Sequence, residues 1–250
     1  MKHLLGAIFV TATVIIAQQE MPTGAELVKK MSEIMTQENS TAIMTQTITT
    51  SSGQQRTFEF EMFTANEGEK TLMRYLKPSA ARGQAFLMLN NADDIWTYFP
   101  RTKRVRKLSS SSKNQKVQGS DFSFEDMGSG DSWKEEYVST NLGSEKYDDT
   151  DCWKLESIGI PKQNPSYPKM VVLMRKADFY PIKIDYFEDN DYVEKTLFMD
   201  NINNIEGVPT AMKMTMKNHS EGTETTMQTL LITYEWEPPD NFFTERELKK

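Results

Sequence analysis

Apolar and polar residues alternate with a period of two along much of this chain, and that alternation restricts its fold more than any other feature. Arg56 to Met62 reads R-T-F-E-F-E-M, which sets Phe58, Phe60 and Met62 on one face and Thr57, Glu59 and Glu61 on the other. Ile182, Ile184 and Tyr186 alternate with Lys183 and Asp185, and Met212, Met214 and Met216 with Lys213, Thr215 and Lys217. Thr225 to Trp236 carries Leu230, Ile232, Tyr234 and Trp236 on one side. Successive side chains of a strand point to opposite faces, so each segment reads as a strand with one apolar face. Less regular patterns predict further strands at 41–49, 69–76, 84–90, 94–99, 134–141, 152–158, 169–175 and 192–199. Asn90-Asn91, Asp189-Asn190 and Glu221-Gly222 read as hairpin turns. The expected class is mostly β (α+β), an antiparallel sheet solvated on one face and covered on the other.

One helix is available as cover. Leu27, Val28, Met31, Ile34 and Met35 fall at helical spacing within Gly24 to Met35, and Pro22 and Thr23 stand where a helix start requires them. A second cover is the Ser109–Ser132 segment, rich in Ser, Gly and charge. A loop this long inside a domain is functional or mobile. It carries Phe122, Phe124 and Met127, which need burial, so a flap or a short helix at Phe122 to Met127 is expected.

The first residues read as an export signal. Lys2 and His3 precede an apolar run from Leu4 to Ala17, and the chain turns polar at Gln18. The run is shorter than the roughly 20 residues of a membrane span. The expected division is a signal peptide at 1–17 and a single domain at 18–250, with 109–132 as a mobile loop. The expected product is a secreted, soluble monomer. Without Lys2 the balance is 28 basic against 36 acidic residues, a net charge of −8. Such a chain has no overall positive field for nucleic acid. Cys152 is the single cysteine, so an internal disulfide is excluded.

Chemistry is sparse. Beyond the signal the chain has one histidine, His219, in a turn-like Asn218-His219-Ser220-Glu221-Gly222. One histidine and one cysteine cannot build a zinc site. The acidic clusters Asp148, Asp149, Asp151 and Glu188, Asp189, Asp191 lack calcium-loop spacing and read as turns. No phosphate loop or nucleophile elbow occurs. The expectation is no enzyme, no metal and no cofactor. The sharpest charge feature is Arg101, Lys103, Arg104, Arg106 and Lys107 around Val105. It reads equally as a docking patch for an acidic partner or lipid headgroups and as a solvated edge strand. The 16 methionines suggest an adaptable apolar surface, because thioether side chains repack around irregular partners.

Several blocks occur in a familiar order. They are Arg74-Tyr75-Leu76-Lys77-Pro78 with Gly83, Ile95-Trp96-Thr97-Tyr98-Phe99-Pro100, Lys103 to Lys107, and Gly119-Ser120-Asp121-Phe122-Ser123-Phe124-Glu125-Asp126-Met127. Tyr167-Pro168-Lys169, Tyr180-Pro181-Ile182-Lys183, Phe243-Thr244 and Leu248 come after them. In these the chain resembles the outer-membrane lipoprotein-sorting protein family, a branch of the LolA-like periplasmic carriers. The resemblance implies a strongly curved antiparallel sheet, a half-open barrel around a hydrophobic cavity, with helices and a loop as lid. It implies a carrier for lipoprotein acyl chains or lipid, transferred toward the outer membrane. A link to an inner-membrane exporter of the RND/MMPL type is the alternative role, as an adaptor. Strand parity nominates Phe58, Phe60, Met62, Trp96, Tyr98, Ile182, Ile184, Met212, Met214 and Met216 as cavity residues.

Overall fold

Thirteen strands form one antiparallel sheet in the computed structural model, which describes residues 21–128, 133–163, 165–188 and 191–250. The first six are β1 (Asn39–Thr49), β2 (Gln55–Ala65), β3 (Lys70–Lys77), β4 (Ala85–Leu89), β5 (Asp94–Phe99) and β6 (Arg104–Lys107). The other seven are β7 (Tyr137–Tyr147), β8 (Thr150–Gly159), β9 (Lys169–Arg175), β10 (Pro181–Phe187), β11 (Val193–Ile205), β12 (Val208–Asn218) and β13 (Thr223–Thr233). The order across the sheet is β6-β5-β4-β3-β2-β1-β13-β12-β11-β10-β9-β8-β7. Two meanders are therefore joined where β1 pairs with β13, with Gln46 opposite Met227. The sheet is curved and unclosed, with β6 and β7 as its two edges. The expected signal at 1–17, residues 129–132 and the Asp189-Asn190 turn lie outside the described residues.

Helix α1 (Gly24–Met35) begins with a reciprocal cap. The Thr23 N–H donates to Glu26 Oε2 at 2.7 Å, and the Glu26 N–H donates to Thr23 Oγ1 at 3.2 Å. Its start abuts β7 so closely that a Cβ on Gly24 would stand 2.0 Å from the Ser139 carbonyl oxygen. Asn141 Nδ2 fixes the approach by donating to the Pro22 carbonyl at 2.7 Å. Leu27, Val28 and Met31 are buried against the sheet, the face that helical spacing selects.

Both faces of the first meander are covered. On the inner face, Phe60, Met73, Tyr75, Phe86, Met88 and Ile95 join the main core. On the outer face, Leu72, Ala85 and Leu87 pack with Leu248, and Phe63, Trp96, Tyr98, Phe242 and Phe243 surround them. The chain after β13 thus returns across the outer face. Phe63 stands 5.3 Å from Trp236 and 4.9 Å from Phe242, between ring centroids. Arg74 anchors the return, donating to the Glu247 carbonyl at 2.8 Å and pairing with Glu61 at 2.6 Å. This double cover explains why β4 is buried at four consecutive positions.

Three expectations change. The strand placed at 134–141 starts only at Tyr137, because Trp133–Glu136 is a helical turn, α3. Trp236 lies beyond β13, in the returning tail. Leu230 faces outward because the β1–β13 pairing shifts there, with Ile43 opposite Leu231 but Met44 opposite Thr229. A bulge of one residue reverses the facing of the residues after it.

Candidate functional site

Residues 108–136 leave β6 at one edge of the sheet and enter β7 at the other, so this connection must cross the open face between them. It carries α2 (Phe124–Gly128) and α3 (Trp133–Glu136). The stretch from Gly119 to Met127 folds it down. Gly119 has φ +72, a conformation that favours glycine. Asp121, almost wholly buried, then reaches β13. Its carboxylate accepts from Thr223 Oγ1 at 2.5 Å and Thr225 Oγ1 at 2.7 Å, and its N–H donates to Thr225 Oγ1 at 2.9 Å. Lys116 stands 3.6 Å from the same carboxylate and 2.5 Å from Glu221.

Beyond this latch α2 starts with a second reciprocal cap. The Ser123 N–H donates to Asp126 Oδ2 at 2.8 Å, and the Asp126 N–H donates to Ser123 Oγ at 3.0 Å. Phe124 packs edge-on against Phe86, with centroids 5.2 Å apart. The family-like block thus closes the connection over the sheet with a turn, a latch, a cap and three apolar anchors.

Under it lies a cavity with two lobes, of about 260 and 370 Å³. The lobes share Met35, Met44, Met62, Asp126, Met127 and Met214, so they adjoin. Nine of the 18 residues lining the first lobe are methionines, brought from α1, α2, β1, β2, β9, β11, β12 and β13. No single element supplies this surface. The first lobe is also lined by Tyr137, Tyr167 and Tyr186 and by the carboxylates of Glu125, Asp126 and Glu136. Burial pushes the hydroxyls of Tyr167 and Tyr186 well above the ordinary tyrosine range, and that of Tyr180, in the second lobe, up to about 12. The second lobe is richer in hydroxyls. Ser40 and Thr64 are 2.9 Å apart, and Thr210 and Tyr234 are 2.8 Å apart. Thr71, fully buried, lines this lobe with a hydroxyl that has no partner among the described residues.

The structure distributes the ten nominated residues. Met62, Met214 and Met216 line the cavity. Phe60 and Ile184 are buried in the inner core, and Phe58 packs against it. Ile182 and Met212 are half-buried and line neither lobe. At β12 the alternation breaks. Asn201, with φ +52, falls between the pairs Asp200–Lys213 and Ile202–Ala211, and Ala211 lines the cavity. Trp96 and Tyr98 lie on the opposite face, under the tail, while Ile95 is the inward residue of β5. Parity could not choose here, because both faces of β5 are apolar. Met35, Met44, Met170 and Met227 were visible as part of the methionine excess and Tyr186 shared the alternating face of Ile182 and Ile184, whereas Tyr137 and Leu197 carried no signal that set them apart.

Arg104, Arg106 and Lys107 lie on the edge strand β6, and Arg101 and Lys103 on the turn before it; all five are exposed. Lys107 pairs with Asp94 at 2.5 Å and sits 4.8 Å from the centroid of Trp96. The other four have no ion pair among the described residues. Cys152 is fully buried, which pushes its thiol up. His219 is exposed, with Nε2 2.8 Å from the Thr196 hydroxyl. Among the described residues no group of three or more His, Cys, Asp or Glu could hold a metal, and no helix is long and apolar enough to cross a membrane.

Several proteins of known structure share this fold. The chain is similar to a putative outer membrane lipoprotein-sorting protein domain from Vibrio parahaemolyticus, at 29% identity and a TM-score of 0.82, over 91% of this chain and 98% of that one. It is similar to a DUF1329 family protein from Desulfovibrio piger at 26% identity and TM-score 0.81, over 90% and 97% of the two chains. A LolA superfamily protein from Nitrosomonas europaea has the same fold, at 21% identity and TM-score 0.75, over 91% and 100%. No curated protein matches the chain. A family model described as "Uncharacterized protein" matches residues 67–250. The chain belongs to the family of that model, and its fold is LolA-like.

Proposed function

We propose that this protein is a periplasmic carrier that holds the acyl chains of a lipidated protein, or a lipid, and hands them on toward the outer membrane. One observation carries the reading: a methionine-lined cavity beneath a connection that spans the two edges of the sheet. An acyl chain contributes about 0.8 kcal/mol per buried CH₂, so such a cavity needs no reactive group to bind it. Flexible thioethers accommodate chains that do not fit one rigid shape. The likeness to a lipoprotein-sorting domain supports the same reading. Lipid extracted from the purified protein, identified by mass spectrometry, and titration with a diacylated peptide test it. Met214→Trp, at the junction of the two lobes, is expected to weaken peptide binding at least about tenfold by filling space the ligand needs. Protein that carries no lipid and binds no acylated peptide would refute the carrier role.

A second reading, an adaptor docking an envelope exporter, is favoured by Arg101, Lys103, Arg104 and Arg106, which have no ion pair among the described residues and stand at an open sheet edge. Reversing the charge of Arg104 and Arg106 should then abolish capture of an acidic partner and leave lipid binding unchanged. Capture that survives the reversal removes this role.

A further inference from the structure

We infer that the cavity selects amphiphiles whose polar end donates hydrogen bonds and carries no negative charge. This rests on the carrier reading and adds the chemical class of the cargo. The two lobes together are lined by Glu67, Glu125, Asp126 and Glu136, and by no lysine, arginine or histidine among the described residues. An ionised carboxylate only accepts hydrogen bonds, so a ligand group beside it must donate. Two cations contact lining residues from outside the lobes. Lys113 stands 3.5 Å from Glu125 and Lys195 donates to the Tyr167 hydroxyl at 3.2 Å, but neither lines either lobe.

The hydroxyl-rich second lobe gives an independent sign. The Thr71 side chain is fully buried there, and its hydroxyl has no partner among the described residues. A buried hydroxyl without a partner is costly, and a polar ligand group in this lobe would relieve that. The shared methionines set it beside the methionine-rich first lobe, and Asp126 lines both, so a chain in one lobe places its polar group near carboxylates in either. An anionic head would instead enter a space whose only charged lining groups among the described residues are carboxylates, where like charges in a partly desolvated site repel strongly.

Three ligands with one saturated chain separate the possibilities: 1-monopalmitoylglycerol, hexadecylamine and palmitate. Each competes at pH 7, below its micelle concentration, against a fluorescent monoacylglycerol bound to the full protein. Monopalmitoylglycerol and hexadecylamine are expected to displace the probe at concentrations at least about tenfold below palmitate. In Asp126→Asn and in Glu136→Gln the disadvantage of palmitate should shrink severalfold. Two variants are used because Asp126 also caps α2. Palmitate binding as well as or better than the other two, or discrimination unchanged in both variants, overturns the inference and leaves the carrier reading standing. Failure of all three ligands to bind overturns both.

Discussion

Replacing Asp121 with alanine should release the connection over the cavity without dismantling the sheet. The carboxylate accepts from two β13 hydroxyls, Thr223 at 2.5 Å and Thr225 at 2.7 Å, and lies 3.6 Å from Lys116. Hydrogen bonds to a charged group contribute about 1.5–3 kcal/mol each, so the two together stabilise closure by about 3–6 kcal/mol. The Thr225 hydroxyl, fully buried, would also lose its acceptor. A loss of about 3 kcal/mol raises the open population by a factor of about 10². Amide hydrogen exchange reads this directly. The N–H groups of Val117, Ser120 and Phe124 donate to carbonyls within the connection and should exchange about 10² faster in the variant. Paired amides of β9 and β10, away from the latch, should change much less. Asp121→Asn, which retains one acceptor, should fall between. If Val117, Ser120 and Phe124 keep their wild-type rates while the whole protein loses thermal stability, Asp121 is ordinary core and not a latch.

Gly24→Ala places a Cβ 2.0 Å from the Ser139 oxygen and 2.7 Å from the Thr140 nitrogen, both backbone atoms of β7. It should cost at least about 1–3 kcal/mol in urea unfolding, and a midpoint like wild type would refute the close packing of α1 on that edge. The buried tyrosines predict an alkaline limit. Burial raises Tyr180 to about 12 and shifts Tyr75, Tyr137, Tyr167 and Tyr186 upward as well. With an unfolded value near about 10, their contribution is complete below that pH. It is lost as pH rises toward 12, by about 1.4 kcal/mol per pH unit for each tyrosine that ionises only on unfolding. Urea midpoints that stay level from about pH 9 to about pH 11 would contradict this sign.

Local pattern alone determined where most strands lie and which residues share a face. Lys169–Arg175 was legible as a strand to the residue, and Phe58, Phe60 and Met62 do share the inner face of β2. The helix at 24–35, its capping residue Thr23 and the short helix near Phe122 to Met127 were equally readable, because caps and periods act over a few residues. The family-like blocks added the curved sheet and its cover. Only the tertiary structure decided which face became the cavity wall. Trp96 and Tyr98 pack outward because the tail carrying Phe242, Phe243 and Leu248 returns from more than a hundred residues away to cover them. Leu230 left its expected face because a one-residue shift in the pairing with β1 reverses the alternation, and Met212 lines neither lobe where the β11–β12 ladder is interrupted opposite Asn201. The cavity depends on longer returns still: β1 must find β13, and the 108–136 connection must cross from β6 to β7. A period of two fixes which side chains point together, but no short window of sequence records which distant segment will cover them.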